Sequence, residues 1–90
     1  MYKILPLALL LATPALASSD EAWIQFRADV QTACLAKIDG PGTPAIEVNP
    51  FGSEKFGVAI ITLTNDLKAE QIVCIYDKQT KTAELTGPFE

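Results

Sequence analysis

Two cysteines, Cys34 and Cys74, constrain the fold of this chain more than any other feature. They are the only cysteines among its 90 residues, and they follow a segment with the character of an export signal. Exported proteins form and keep disulfides, because the oxidising compartments they enter do not hold thiols reduced. The pair therefore predicts one covalent bridge between positions that are 40 residues apart.

Residues 1–17 are predicted to be a cleaved signal peptide. Lys3 gives the short positive start, residues 4–12 are apolar, Pro14 follows, and small residues stand at positions 15 and 17 before the cut. Crossing a bilayer requires about 20 apolar residues, and this run is shorter. We expect a periplasmic protein, with secretion as the alternative, and no membrane insertion once the leader is removed.

The remaining residues, 18–90, are predicted to form a single small domain that needs a covalent cross-link for stability. A domain of this size buries only about 60–65% of its unfolded surface. A bridge closing 40 residues contributes about 4 kcal/mol in chain-entropy estimates. A redox role for the pair is the alternative, but reactive dithiols usually lie in a Cys-x-x-Cys motif, whereas Cys34 and Cys74 are far apart. We therefore expect a structural disulfide.

An amphipathic helix is predicted over residues 19–38. Ser18 and Glu21 have the spacing of a capping box, and acidic residues near the N-terminus suit the helix dipole. The Asp39-Gly40-Pro41-Gly42 segment ends the helix. One apolar stripe recurs at spacings of three and four: Trp23, Phe26, Val30, Cys34 and Ile38.

After the helix the apolar period changes to two, which predicts β-strands joined by short turns. Such short connections favour an antiparallel meander, since parallel neighbours require long crossovers. The predicted fold class is α+β, with one N-terminal helix packed on a three- to four-stranded antiparallel meander. The predicted strands are 46–48, 56–64, 70–76 and a weaker 81–86.

A helix-to-strand disulfide also predicts which way the third strand faces. Cys74 must point towards the helix, so Val73 and Ile75 must point to the opposite side of the sheet. The second strand is apolar on both sides. Because one helix cannot cover both faces of a sheet, either the sheet curls over its far side or another molecule covers it.

The sequence contains no recognisable catalytic or metal-binding pattern. It has no histidine, which removes the commonest general base, nucleophile partner and metal ligand. The carboxylates are scattered, and neither a calcium loop nor a glycine-rich nucleotide loop is present. We expect no enzyme activity, no cofactor and no metal.

The net charge of −4 becomes −5 when the leader, whose one charged residue is Lys3, is removed. Nucleic acids and anionic membranes are disfavoured as partners, because binding them requires Lys and Arg to neutralise phosphates. A basic protein would be attracted, although a charge of this size also simply favours solubility.

The turn at residues 49–53 is the second candidate binding feature. It carries Phe51, Gly52 and Ser53 at the predicted tip of a loop. The ring of Phe51 either inserts into a partner or folds back under the sheet edge.

The order of elements, ending in the Asp77-Lys78-x-Thr80 turn, resembles small exported modules of the PepSY type. The acidic, disulfide-closed build is similar to that of periplasmic lysozyme inhibitors. Both resemblances concern shape and size and transfer no residue. We expect a protein-binding domain. More specifically, we expect an inhibitor of a basic hydrolase that contacts the enzyme through Phe51, Gly52 and Ser53. The alternative is a subunit that assembles, by self-association or with another protein, through the far sheet face at Val73 and Ile75.

Overall fold

The computed structural model describes residues 19–66 and 68–89, in which one helix packs on one face of a four-stranded antiparallel sheet. The predicted α+β fold class is confirmed. The predicted signal peptide, residues 1–17, lies outside the described residues. The elements are α1 (Asp20–Leu35), β1 (Thr43–Val48), β2 (Phe56–Thr64), β3 (Ala69–Asp77) and β4 (Ala83–Leu85).

The start of α1 differs by one residue from the predicted capping box. Ser19, rather than Ser18, is the N-cap, and its Oγ accepts a hydrogen bond from the Ala22 N–H at 3.0 Å. Asp20 and Glu21 lie in the first turn, where their charges favour the positive end of the helix dipole. Both serines offer the same hydroxyl, so capping preferences do not distinguish between them.

The helix ends three residues earlier than predicted, at Leu35. The next residues turn more tightly, because the Lys37 and Ile38 N–H groups donate to carbonyls three residues back, at Cys34 and Leu35. Ile38 still packs against the core as the last residue of the apolar stripe. The stripe prediction is thus confirmed for Phe26, Val30, Cys34 and Ile38, whereas Trp23 lies outside this core.

The strands form a meander in the order β1-β2-β3-β4, with every neighbouring pair antiparallel. The bounds of β2 match the prediction. β1 begins three residues earlier than predicted and includes Pro44, which an edge strand tolerates because its outer side needs no N–H donor. β4 is shorter than predicted, since Lys81 adopts a positive φ of 64° in the preceding turn.

The disulfide joins the helix to the third strand as predicted. Cys34 and Cys74 are bonded, their Cα atoms are 5.9 Å apart, and both side chains are fully buried. Ile72 and Tyr76 are buried beside Cys74, which confirms the expected alternation along β3. The core therefore lies between α1 and the sheet, with Val30, Ala59, Ile61 and Ala83 completing it.

Gly57 sets how closely the helix approaches the sheet. A β carbon at this position would lie 2.8 Å from Val30 Cγ2 and 2.9 Å from Phe26 Cζ, both too short for normal contact. Only a residue without a side chain permits this approach. The register brings Gly57 opposite Tyr76 on β3, beneath the N-terminal half of the helix.

Candidate binding surfaces

The side of the sheet turned away from α1, here called the far face, carries a strip of apolar side chains. Phe56 and Ile60 are 39% and 43% exposed, and Val58, Val73 and Ile75 are half-buried. The strand order leaves β1 and β4 at opposite edges, so the described sheet is open rather than closed over this face. The far face was predicted to be hidden either by curling of the sheet or by another molecule. Within the described residues, curling does not hide the strip.

The register assembles the strip from neighbouring strands. Val58 lies opposite Ile75 and Ile60 lies opposite Val73, so these four side chains form two cross-strand pairs. Phe89, which is 60% exposed, pairs with Gln71 and extends the same face towards the C-terminus. Apolar residues therefore run across the face from Phe56 to Val73, and Phe89 lies beyond the polar Gln71.

The charged strand positions of the far face are all acidic. Glu47 lies opposite Ile60, Asp77 opposite Phe56, and Glu84 opposite Ile75. The last two flank a depression of about 430 Å³ whose lining includes Phe56 and Ile75. An apolar floor beside two carboxylates suits the aliphatic stem and cationic head of a lysine or arginine.

The loop at residues 49–53 adjoins the Phe56 end of the far face and is held in one conformation by its own hydrogen bonds. Asn49 Oδ1 accepts from the N–H groups of Phe51, at 3.2 Å, and Gly52, at 2.8 Å. Gly52 has a φ of 70°, and a β carbon there would collide with the Phe56 carbonyl oxygen. Ser53 closes the turn, since its N–H donates to that oxygen and its Oγ accepts from the Phe56 N–H.

Two cations fix the loop to the rest of the domain. Arg27 on α1 donates from Nη1 to the Pro50 carbonyl at 3.1 Å. Lys78, in the turn between β3 and β4, donates from Nζ to the carbonyls of Phe51, at 3.1 Å, and Ser53, at 2.6 Å. The loop is thus tied to both the helix and the hairpin.

Phe51 does not fold back under the sheet edge. Its ring packs edge-to-face against Trp23 on the helix, with centroids 4.9 Å apart, and it remains 55% exposed. It is therefore neither an isolated tip nor buried under the sheet edge. Its part in binding a partner stays a prediction.

Lys78 also lies against the aromatic side chains of the helix. Its Nζ is 4.8 Å from the Phe26 ring centroid and 5.4 Å from that of Trp23. Phe26 packs edge-to-face on Trp23, at 5.6 Å, and on Tyr76, at 6.2 Å. The ammonium is thereby placed over ring faces, a favourable cation–π geometry.

Two ionisable groups near this end have displaced pKa values. Burial raises the pKa of the Tyr76 hydroxyl, and the negative charge of Asp29 adds to the rise. Hydrogen bonds from the backbone amides of Thr80 and Gln79 lower the pKa of the Asp77 carboxyl. Asp77 therefore stays charged in mildly acidic solution.

The predicted site residues separate into two surfaces. Phe51, Gly52 and Ser53 lie at the loop, whereas Val73 and Ile75 lie on the far face. Trp23 and Lys78 belong to the loop surface, although their sequence positions predict a core stripe and a turn. No sequence pattern near Trp23, in the first turns of α1, or near Lys78, after β3, indicates that these two side chains contact each other.

Within residues 19–66 and 68–89, no three side chains of the metal-binding types come together as a metal site. No helix among these residues has both the length and the apolar character to cross a lipid bilayer. The disulfide is compatible with an oxidising compartment.

Comparison of the chain with protein-family models, with characterised proteins and with solved structures gave no match.

Proposed function

We propose that this chain is an exported, non-catalytic domain that binds a basic protein through the far face of its sheet. The observation that carries the proposal is the apolar strip from Phe56 to Val73, which no described residue covers fully and whose charged strand neighbours are carboxylates. Contiguous exposed apolar patches on folded proteins commonly mark sites of interaction with another protein.

The charge of the rim selects the kind of partner. Glu47, Asp77 and Glu84 are the charged strand residues beside the strip, so a partner with lysine or arginine next to an apolar centre complements it. Such complementarity mainly raises the association rate and makes binding sensitive to salt. A partner with an acidic rim is disfavoured by the same charges.

The predicted leader and the disulfide together support export to an oxidising compartment. An export signal followed by a bridged domain supports the periplasm, with secretion as the alternative. In either place a basic hydrolase is a suitable partner, and we propose inhibition of such an enzyme as the specific role. The absence of histidine from the sequence supports a binding rather than a catalytic role.

Assembly as a structural or accessory subunit is the second candidate, and the exposure of Ile60 and Phe56 favours it as well. Two copies meeting face to face would bring Glu47 and Glu84 of each near like charges of the other, which opposes association at low salt. Sedimentation velocity separates the two functions. A monomer supports the basic partner, whereas a dimer that Ile60→Gln dissociates supports assembly.

Affinity capture with matched baits tests the proposed function. The whole 90-residue sequence is expressed in an exporting host, and the recovered wild-type protein is compared with Ile60→Gln and with Ile24→Gln. Ile24 is the matched control because it is also an exposed isoleucine, at 60%, but lies on the helix. We expect a basic protein that wild type and Ile24→Gln retain and Ile60→Gln loses.

A third bait, Phe51→Ala, distinguishes the two surfaces. Retention of the partner by Phe51→Ala agrees with binding through the far face. Loss of the partner in Phe51→Ala but not in Ile60→Gln moves the contact to the loop and contradicts the proposal. Partners that are acidic, or only copies of this chain, also contradict it.

A further inference from the structure

A groove of about 420 Å³ separates α1 from the hairpin of β3 and β4, on the side opposite the far face. This volume is in the range of small-molecule sites, which combine apolar walls with a few polar groups. The groove is lined chiefly by Trp23, Phe26, Asp29, Tyr76, Lys78 and Lys81.

Three aromatic side chains form its apolar part. Phe26 stands between Trp23 and Tyr76 and packs edge-to-face on both. A planar ring entering the groove meets further edges and faces of these side chains, an arrangement that aromatic pairs favour. The walls therefore suit an aromatic group.

The charges of the groove determine what such a group carries. Aromatic clusters often receive a cation, but here Lys78 already lies over the rings of Trp23 and Phe26. Two of its three Nζ protons are directed to the loop carbonyls, which leaves one donor. Lys81 adds a second positive charge on the same wall, whereas Asp29 lies on the helix side.

We propose that this groove binds an aromatic carboxylate, with the ring against Trp23, Phe26 and Tyr76 and the carboxylate directed to Lys78 and Lys81. Asp29 repels a carboxylate turned the other way, so it enforces one orientation. The C-terminal aromatic residue of a peptide and a free aromatic acid share this chemistry.

Fluorescence titration of Trp23, the only tryptophan in the chain, tests the proposal together with NMR shifts at Tyr76. The probes are N-acetyl-phenylalanine, its amide, and phenethylamine. We expect the acid to bind more tightly than the uncharged amide, and phenethylamine to bind least. Equal binding of acid and amide, or tighter binding of phenethylamine, overturns the assignment.

Lys81→Asn is the informative variant, because asparagine accepts the positive φ at position 81 better than most residues. We expect about a two- to fivefold loss of affinity for N-acetyl-phenylalanine, as for one exposed charge contact. Lys37→Asn, an exposed lysine beyond the other end of α1, is the control and leaves the affinity unchanged. An equal effect of both variants, or no effect of Lys81→Asn, contradicts the site.

A tripeptide ending in phenylalanine separates the two sources of the ligand. Tighter binding of this peptide than of N-acetyl-phenylalanine assigns the site to peptide C-termini, and loss of that binding on amidation confirms the role of the carboxylate. Weaker binding of the peptide assigns it to free aromatic acids. Binding of peptide and amidated peptide with the same affinity contradicts the proposal.

Discussion

Gly57 lies directly beneath Val30, and a β carbon on Gly57 would be 2.8 Å from Val30 Cγ2. Gly57→Ala therefore forces α1 and β2 apart, and we expect a loss of about 1–3 kcal/mol in the free energy of unfolding. Urea denaturation of the purified protein measures this loss. Gly87→Ala is the control, because a β carbon at Gly87 meets nothing within 4 Å. Equal stability of the two variants contradicts the packing described.

The disulfide joins the only helix described to the centre of the sheet. Replacing both Cys34 and Cys74 by alanine opens the 40-residue segment, and we expect a loss of about 4 kcal/mol in the free energy of unfolding. For so small a domain this is a large share of its stability. Denaturation with and without reductant provides the measurement, and the double variant serves as the control that reductant does not affect. If reductant leaves the denaturation midpoint of the wild type unchanged, the disulfide does not stabilise the fold as expected.

The interactions of Lys78 are expected to stabilise the loop. Lys78→Met keeps the aliphatic stem but removes both hydrogen bonds to the loop carbonyls and the cation over Phe26. We expect about 1 kcal/mol of destabilisation, and a shift in Trp23 fluorescence as the contact with Phe51 loosens. Lys55→Met removes a charge from an exposed position nearby and is the control. A fluorescence change of the same size in both variants argues against the specific contact.

The Asp77 turn predicts a pH dependence. Amides of Gln79 and Thr80 lower the pKa of the Asp77 carboxyl in the folded state, so the charged form is favoured there. Its contribution is complete above the ordinary aspartate pKa of about 3.9 and is lost as the pH falls through the lower folded value. We expect the free energy of unfolding of Asp77→Asn to fall less steeply than that of the wild type as the pH decreases. Denaturation between neutral pH and about pH 2 measures this difference.

Asp39→Asn removes the same charge from an exposed position after the helix and serves as the control. We expect Asp39→Asn to lose stability with falling pH in the same way as the wild type. If Asp77→Asn also does so, the hydrogen bonds to Asp77 do not contribute to the pH dependence of stability.

Much of the fold was predictable because local rules and one long-range constraint agree. The alternation along β3 and the bridge at Cys74 together predict the far-face positions of Val73 and Ile75, and the register confirms them. The bounds of β2 were predictable because the segment from Val58 to Thr64 is rich in β-branched residues and lies between clear turn signals. These features depend on short sequence windows, where periodicity is informative.

The loop surface was not predictable in the same way. Phe51 meets Trp23, and Lys78 crosses to both, only after the helix, the loop and the hairpin have come together. Each of these residues is locally consistent with a core stripe or an exposed turn. Their contacts are tertiary, and no spacing in the sequence encodes them. The loop was singled out by its composition, but its attachment to α1 was not.

Surface plasmon resonance on the captured partner is the most direct test of the claim that the far face binds a basic protein. Affinities are compared for wild type, Ile60→Gln and Ile24→Gln at low and physiological salt. We expect Ile60→Gln to weaken binding at least tenfold, about 1.4 kcal/mol, Ile24→Gln to leave it unchanged, and salt to weaken it in wild type. Equal affinities of Ile60→Gln and wild type, or binding indifferent to salt, would contradict this claim.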